Sequence, residues 1–225
     1  METSLHRQLK EHYAAGAGQQ EVVLQNYRID AIRRGSLVEI QHGSLAAIRD
    51  KIADLLEHHR VLVVKPIVVL KELVKLDKRG GEVLERRRSP KRGQLLDLFE
   101  ELVYFTRVFP HPRLALEVAL VEVEELRYPG HGRRRRRRKN DFQVEDQYLT
   151  KIRETVRFRT SGDLRKFLPR GLPAKFHTGH LAEQLQVQRP IAQRIAYCLR
   201  ETGAIHTVGK QGNTLMYSRR RRAAA

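Results

Sequence analysis

Residues 21–45 read EVVLQNYRIDAIRRGSLVEIQHGSL, and the placement of their acids decides the fold. Two strand-like runs, QEVVLQNYRIDAIRR and SLVEIQ, meet at Gly35-Ser36, and acidic residues fall at Glu21, Asp30 and Glu39. The pattern predicts a hairpin of residues 27–33 with 37–41. Side chains alternate between the faces of a strand, so Arg28, Asp30 and Ile32 share one face of the first and Leu37, Glu39 and Gln41 one face of the second. Asp30, Glu39 and Gln41 are therefore expected to converge. Two carboxylates on adjacent strands suit a hard divalent cation that takes oxygen ligands and keeps several waters. Such an ion polarises a phosphodiester and makes a bound water easier to deprotonate. Gln41 can orient that water by hydrogen bonding, although an amide is neither a base nor a charge.

Working outward, Ser4 to about Ala15 reads as a helix, with Leu5, Leu9 and Tyr13 at a spacing of four, Ser4 as its cap and Gly16 and Gly18 ending it. Glu11 on that helix is expected to be solvated. Residues 45–59 (LAAIRDKIADLLEHH) have a helical period with Ser44 as N-cap. Residues 61–70 (VLVVKPIVVL) read as a strand covered on both faces, with Pro66 ending it and residues 67–76 forming a second strand. Lys65 reads equally as a phosphate contact or as a snorkelling side chain. The Gly-, Pro- and charge-rich residues 77–93 read as a basic loop, 94–106 as a helix and 114–126 as a strand. In that last strand Glu117, Glu122 and Glu124 are expected to face solvent.

Asp30 followed by Glu39-Ile40-Gln41, after a helical N-terminus, resembles the PD-(D/E)XK nuclease superfamily in its E-x-Q form. More narrowly, Glu21, the YRID run and VEIQHGS resemble the CoiA-like competence nucleases. The resemblance covers roughly residues 1–70. It implies an α-β-β-β-α-β, restriction-endonuclease-like core, with Asp30 and Glu39 holding Mg2+ or Mn2+, Gln41 supporting them and Glu21 as a ligand or a residue beside the ligands. Two departures stand out. Ile29 occupies a position where many members have proline, and Gln41 replaces the lysine.

The chain has 225 residues, and 44 Lys and Arg against 26 Asp and Glu give a net charge of +18. That excess points to a polyanionic partner, DNA by default. No apolar run approaches the roughly 20 residues needed to cross a bilayer, so no membrane is expected as a partner. Cys198 is the one cysteine, which excludes an internal disulfide and fits a cytoplasmic setting, nucleoid-associated in a prokaryote. The uninterrupted basic tract Arg133–Lys139 cannot enter a core and reads as a linker.

Beyond it, residues 177–218 give a short helix, a tight turn at 186–188, a helix opening at Pro190 and stopping at Gly203, then a hairpin around GKQGN. Helix, turn, helix and hairpin in this order resemble a winged helix-turn-helix domain. In that motif the second helix enters the major groove, which nominates Gln188, Arg189, Gln193 and Arg194, with Lys210 and Gln211 at the wing tip. Cys198 falls on the apolar stripe and reads as core. His177 and His180 read as flanking or capping their helix. Residues 145–155 are expected to be helical, with Ser161 capping another short helix.

The expected architecture is thus mixed α/β. A restriction-endonuclease-like domain occupies 1–130, a basic linker 131–141, a winged helix-turn-helix domain 142–218 and a basic tail 219–225. The expected function is metal-dependent DNA hydrolysis, with a homodimer possible where both strands are cut. The alternative is a non-catalytic DNA-binding regulator or a degenerate nuclease.

Overall fold

Leu5, Leu9 and Tyr13 are all buried in α1 (Ser4–Ala14), as their spacing of four requires. The computed structural model describes residues 3–15, 19–24, 26–130 and 141–219. After α1 come β1 (Gln19–Leu24), β2 (Tyr27–Arg33) and β3 (Ser36–Ile40), then α2 (Arg49–Leu55) behind a 3-10 turn at Leu45–Ile48. Next are β4 (Arg60–Leu76), β5 (Val83–Arg88), α3 (Leu98–Leu102), β6 (Leu114–Pro129) and β7 (Phe142–Phe158). The chain ends with α4 (Ser161–Leu164), α5 (Thr178–Leu185), α6 (Arg189–Glu201), β8 (His206–Gln211) and β9 (Thr214–Ser218). The fold is mixed α/β with one large mixed sheet, ordered β1-β2-β3-β4-β6-β7, and β5 paired to β4. No helix among the described residues is long and apolar enough to cross a membrane.

The chain divides into two compact units, one of residues 1–42, 64–95 and 118–156, the other of 43–63, 96–117 and 157–225. This differs from a division at the basic tract, because β7 joins the sheet of the first unit. The tract itself, save for Asp141 at its end, and residues 220–225 of the tail lie outside the described residues.

In the first unit α1 packs on β2, with contacts to β1 and β3. Ser44 caps the turn that follows β3 in the chain, as its position predicts, accepting from the Ala46 N–H at 3.3 Å. Several elements differ from their sequence reading. The first strand-like run is two strands, β1 and β2, antiparallel with Leu24 opposite Tyr27, because the chain reverses between them without breaking the apolar alternation. β4 runs unbroken through Pro66, whose fixed φ is compatible with an extended chain. Residues 83–88 form β5, pairing Glu72 with Arg88 through Leu76 with Val83. Residues 142–158 are a strand, not a helix; the run lacks an apolar helical stripe, and pairing with β6 decides its state. The caps of α1 and α4 are Thr3 and Thr160, one residue ahead of Ser4 and Ser161.

The acids of β6 do not simply face water. Glu122 pairs with Arg153 and Glu124 with Arg86 in the first unit, and Glu117, buried, pairs with Arg157 at 2.6 Å in the second. In the second unit Phe167 meets Phe99 edge-on at 4.9 Å and stacks on Phe158 at 5.5 Å. Cys198 is buried there, and burial pushes its thiol up to about 12, which makes it a core residue rather than a nucleophile. His177 caps α5 by accepting from the Gly179 and His180 N–H groups.

Candidate catalytic pocket and candidate nucleic-acid face

The β2–β3 hairpin pairs Arg33 with Ser36, Ile32 with Leu37 and Ala31 with Val38. Continuing the alternation by one residue on each strand sends Asp30 and Glu39 to a common face, the side of Ile32 and Leu37. Beyond Ala31 the strands are joined by a side chain: the Ile40 N–H donates to Asp30 Oδ2 at 2.8 Å. His6 Nε2 lies 3.2 Å from Oδ1 of the same carboxylate. Burial works to raise the Asp30 pKa, but these two hydrogen bonds outweigh it and hold the group below the usual carboxylate value. Asp30 is therefore an anion in a fixed rotamer. Glu39 and Gln41 are half-buried, and the Gln41 N–H donates to the Val64 carbonyl at 2.9 Å, tying the end of β3 to β4.

Asp30 opens into a pocket of about 430 Å3 on the first unit. From α1 come His6 and Lys10, four residues apart and hence on one helix face. Glu21 and Arg28 line the opposite part, and His42 enters from the segment after β3. Neither Glu39 nor Gln41 is among the lining residues. Glu21 sits at a left-handed φ of 53°, uncommon for a residue with a Cβ. Its carboxylate pairs with Lys10 at 2.6 Å and with Arg28, and these two cations hold its pKa down to about 2. Glu21 thus lines the pocket as the centre of an ion-pair triad with Lys10 and Arg28.

His42 has its Nε2 buried without a hydrogen-bond partner. Burial, then the neighbouring His6 and Lys65, push its pKa down to about 4. Lys65 is buried, and its ammonium donates to the His42 carbonyl at 2.8 Å, so it does not snorkel. A titration prediction follows from His42. The unfolded imidazole titrates near 6.5 and the folded one near 4, so between these values the unfolded chain binds more protons. The stability due to neutral His42 is complete above pH 6.5 and falls as pH drops towards 4, by at most roughly 3 kcal/mol. His42→Gln is expected to flatten the pH dependence of the urea midpoint in that window, and an unchanged slope would reject the assignment.

Sequence reasoning named Asp30 and Glu21 of the pocket lining and did not name His6, Lys10 or Arg28 as site residues. Their only signal was a helical i, i+4 pair and a strand alternation, which a solvated face also shows. Among the described residues no group of three or more His, Cys, Asp or Glu is placed to hold a metal ion. Asp30 and Glu39 are the two acids that strand alternation assigns to one face, and of these only Asp30 lines the pocket. Each carboxylate oxygen has two acceptor directions, so the bonds to Ile40 and His6 orient Asp30 without exhausting it.

In the second unit, Phe176 exchanges backbone hydrogen bonds with Tyr217 of β9, at 3.0 and 2.7 Å, adding a third strand segment to the β8–β9 hairpin. α6 buries Ala192, Ile195, Ala196, Cys198 and Leu199 and leaves Ile191 half-buried. Gln188, Arg189 and Gln193 are exposed, as are Lys210 and Gln211 beside the Gly212 turn. Arg194 is not on that face: it pairs with Glu100 of α3 at 3.3 Å. The exposed stripe instead continues through Tyr197 and Arg200, whose guanidinium lies 5.4 Å over the tyrosine ring. Arg189, Gln193, Tyr197 and Arg200 share a groove of about 230 Å3 with Thr214. The spacing 189, 193, 197, 200 was visible in the sequence as one helix face.

Comparison with known proteins matches residues 3–159 to the family model described as "Domain of unknown function (DUF8091)". A protein of Treponema pallidum (strain Nichols), described as "Uncharacterized protein", is 29% identical over 218 residues, 96% of this chain and 84% of its own length. No solved structure matches the chain. The matched family segment contains every residue of the Asp30 pocket and ends next to the last residue of β7.

Proposed function

We infer that this chain, which belongs to the family described as Domain of unknown function (DUF8091), is a metal-dependent nuclease that hydrolyses DNA phosphodiester bonds. In this reading the second unit carries a winged helix-turn-helix that holds the DNA. The observation that carries the catalytic half is the Asp30 carboxylate held by the Ile40 N–H and by His6, which supports the reading because strand alternation assigns Glu39 to the same face. The element order α1-β1-β2-β3-α2-β4, with β1 to β4 adjacent in the sheet, agrees with the α-β-β-β-α-β core implied by the PD-(D/E)XK resemblance. The order α4, Phe176, α5, α6, β8, β9 agrees in the same way with a winged helix.

Asp30 and Glu39 would hold Mg2+ or Mn2+, and the bound ion would supply Lewis-acid polarisation of the phosphodiester and a more acidic water. Gln41 offers an amide to orient that water, and it has no charge to contribute. Lys10, Arg28 and His6 line the adjoining pocket, where a phosphate would compete with Glu21 and Asp30 for their N–H groups. On the second unit, Arg189, Gln193 and the wing residues Lys210 and Gln211 face outward from the helix and hairpin that would meet a groove.

A second reading, a DNA-binding protein without cleavage, is favoured by the ion-pairing of Glu21 and by glutamine at position 41. The separating experiment is incubation of supercoiled plasmid and of single-stranded DNA with the full chain in Mg2+, Mn2+ or EDTA. Nicking that needs the metal supports the nuclease. Tight binding with no cleavage in any metal supports the regulator.

A further inference from the structure

The far end of the sheet carries a second built surface that the catalytic reading does not use. Between β4–β5 and the facing ends of β6 and β7 lies an open groove of about 480 Å3. On its floor the Arg127 guanidinium stacks 3.9 Å from the centroid of the Phe142 ring. That stack is held from behind: Arg127 pairs with the buried Glu125, and the Tyr128 hydroxyl donates to Gln143 Oε1 at 2.6 Å. Phe142 is nonetheless 38% exposed.

The walls are basic. Lys75 stands opposite Glu85 in the β4–β5 register, and Arg87 lies 3.8 Å from the Glu85 carboxylate. Glu125 is shared by Lys71 and Arg127. Asp141, the remaining acid of the lining, lies against the backbone of Gly130, where a Cβ would meet its carboxylate at 2.5 Å. The lining thus carries three cations, Lys75, Arg87 and Arg127, against two acids, Glu85 and Asp141, around an exposed aromatic.

We propose that this groove binds single-stranded nucleic acid, with a base stacking on the Arg127–Phe142 platform and backbone phosphates on Lys75 and Arg87. An aromatic ring beside a cationic wall recognises unpaired bases of any sequence, because every base has a π-face and every link a phosphate. A duplex hides those faces, and a polyanion without rings, such as poly-glutamate, has no aromatic face to stack. Binding here is independent of cleavage and of the α6 face.

The test uses the full chain in EDTA, by fluorescence anisotropy on a labelled oligo(dT) of about twelve nucleotides, within the usual site size, and on a duplex of equal length. Phe142→Ala is expected to weaken oligo(dT) binding about tenfold, as loss of one stacked base does. Duplex binding should stay unchanged. Lys75→Ala/Arg87→Ala, at exposed positions, should lower the salt slope on oligo(dT) by roughly 0.7 for each cation removed. This second variant decides the matter should Phe142→Ala melt early. Because binding is read in EDTA on residues outside the Asp30 pocket, failure of the metal-dependent cleavage reading leaves this site standing. The proposal is overturned by oligo(dT) affinity that neither variant changes, by equal losses on oligo(dT) and duplex, or by displacement with poly-glutamate at matched charge.

Discussion

Asp30→Asn is expected to abolish metal-dependent DNA cleavage while leaving the fold and DNA binding in place. An asparagine oxygen still accepts from the Ile40 N–H, so the β2–β3 junction keeps its 2.8 Å tie, but the anionic charge and one acceptor oxygen are gone. Changing a residue that only supports a metal ligand costs about 10- to 100-fold, so removing the ligand charge itself should cost on the order of 1,000-fold in kcat/KM. Glu39→Gln should behave alike, whereas Glu21→Gln should keep cleavage, because its carboxylate is neutralised by Lys10 and Arg28. Plasmid nicking against Mn2+ concentration distinguishes the outcomes. If Asp30→Asn cleaves as the parent does, or if Glu21→Gln is the inactive variant, the metal assignment is wrong.

The part of this site that was legible in the sequence rests on a local rule. Strand alternation from Gly35 assigns Asp30 and Glu39 to one face, and the observed register holds from Arg33–Ser36 as far as Ala31–Val38. The rest of the pocket depends on where α1 lies on the hairpin. Nothing in SLHRQLKEHYA says that His6 and Lys10 point at β2 rather than at water, and only the burial of Leu5 and Leu9 against the strands decides it. The same distinction separates α6 from β7. α6 has a strong apolar stripe, so its ends and its buried residues follow from spacing. β7 is a mainly half-buried or exposed polar run whose strand state comes from its neighbour β6, a non-local fact. Arg194 illustrates the limit within a well-read helix. Its position near the start of α6 matched a groove contact, yet Glu100 on α3, 94 residues away in the chain, claims it.

Glu125→Ala is expected to give the largest loss of stability among single charge changes in the first unit. Its side chain is 3% exposed and accepts from Lys71, from Arg127 and from Gln147 Nε2, the last at 2.6 Å. Burial tends to raise its pKa, but hydrogen bonds and charge from Lys71, then Arg127, more than compensate and hold the group below its usual value. Removing the anion leaves two cations facing each other across an apolar gap and one amide donor without its acceptor. Breaking a buried pair from one side costs about 3–5 kcal/mol, and partial solvent access to Lys71 and Arg127 puts this case near the lower figure. A depressed carboxylate contributes stability in full above its ordinary value of 4.5 and loses it as pH falls through the lower folded value. The gap between parent and variant in urea unfolding should therefore be about 3 kcal/mol at pH 7 and close progressively below pH 4.5. The same substitution frees Arg127 from its anchor beneath Phe142, so oligo(dT) affinity should fall together with stability. A gap under about 1 kcal/mol at pH 7 would mean that water carries these charges and that Glu125 is an ordinary surface partner.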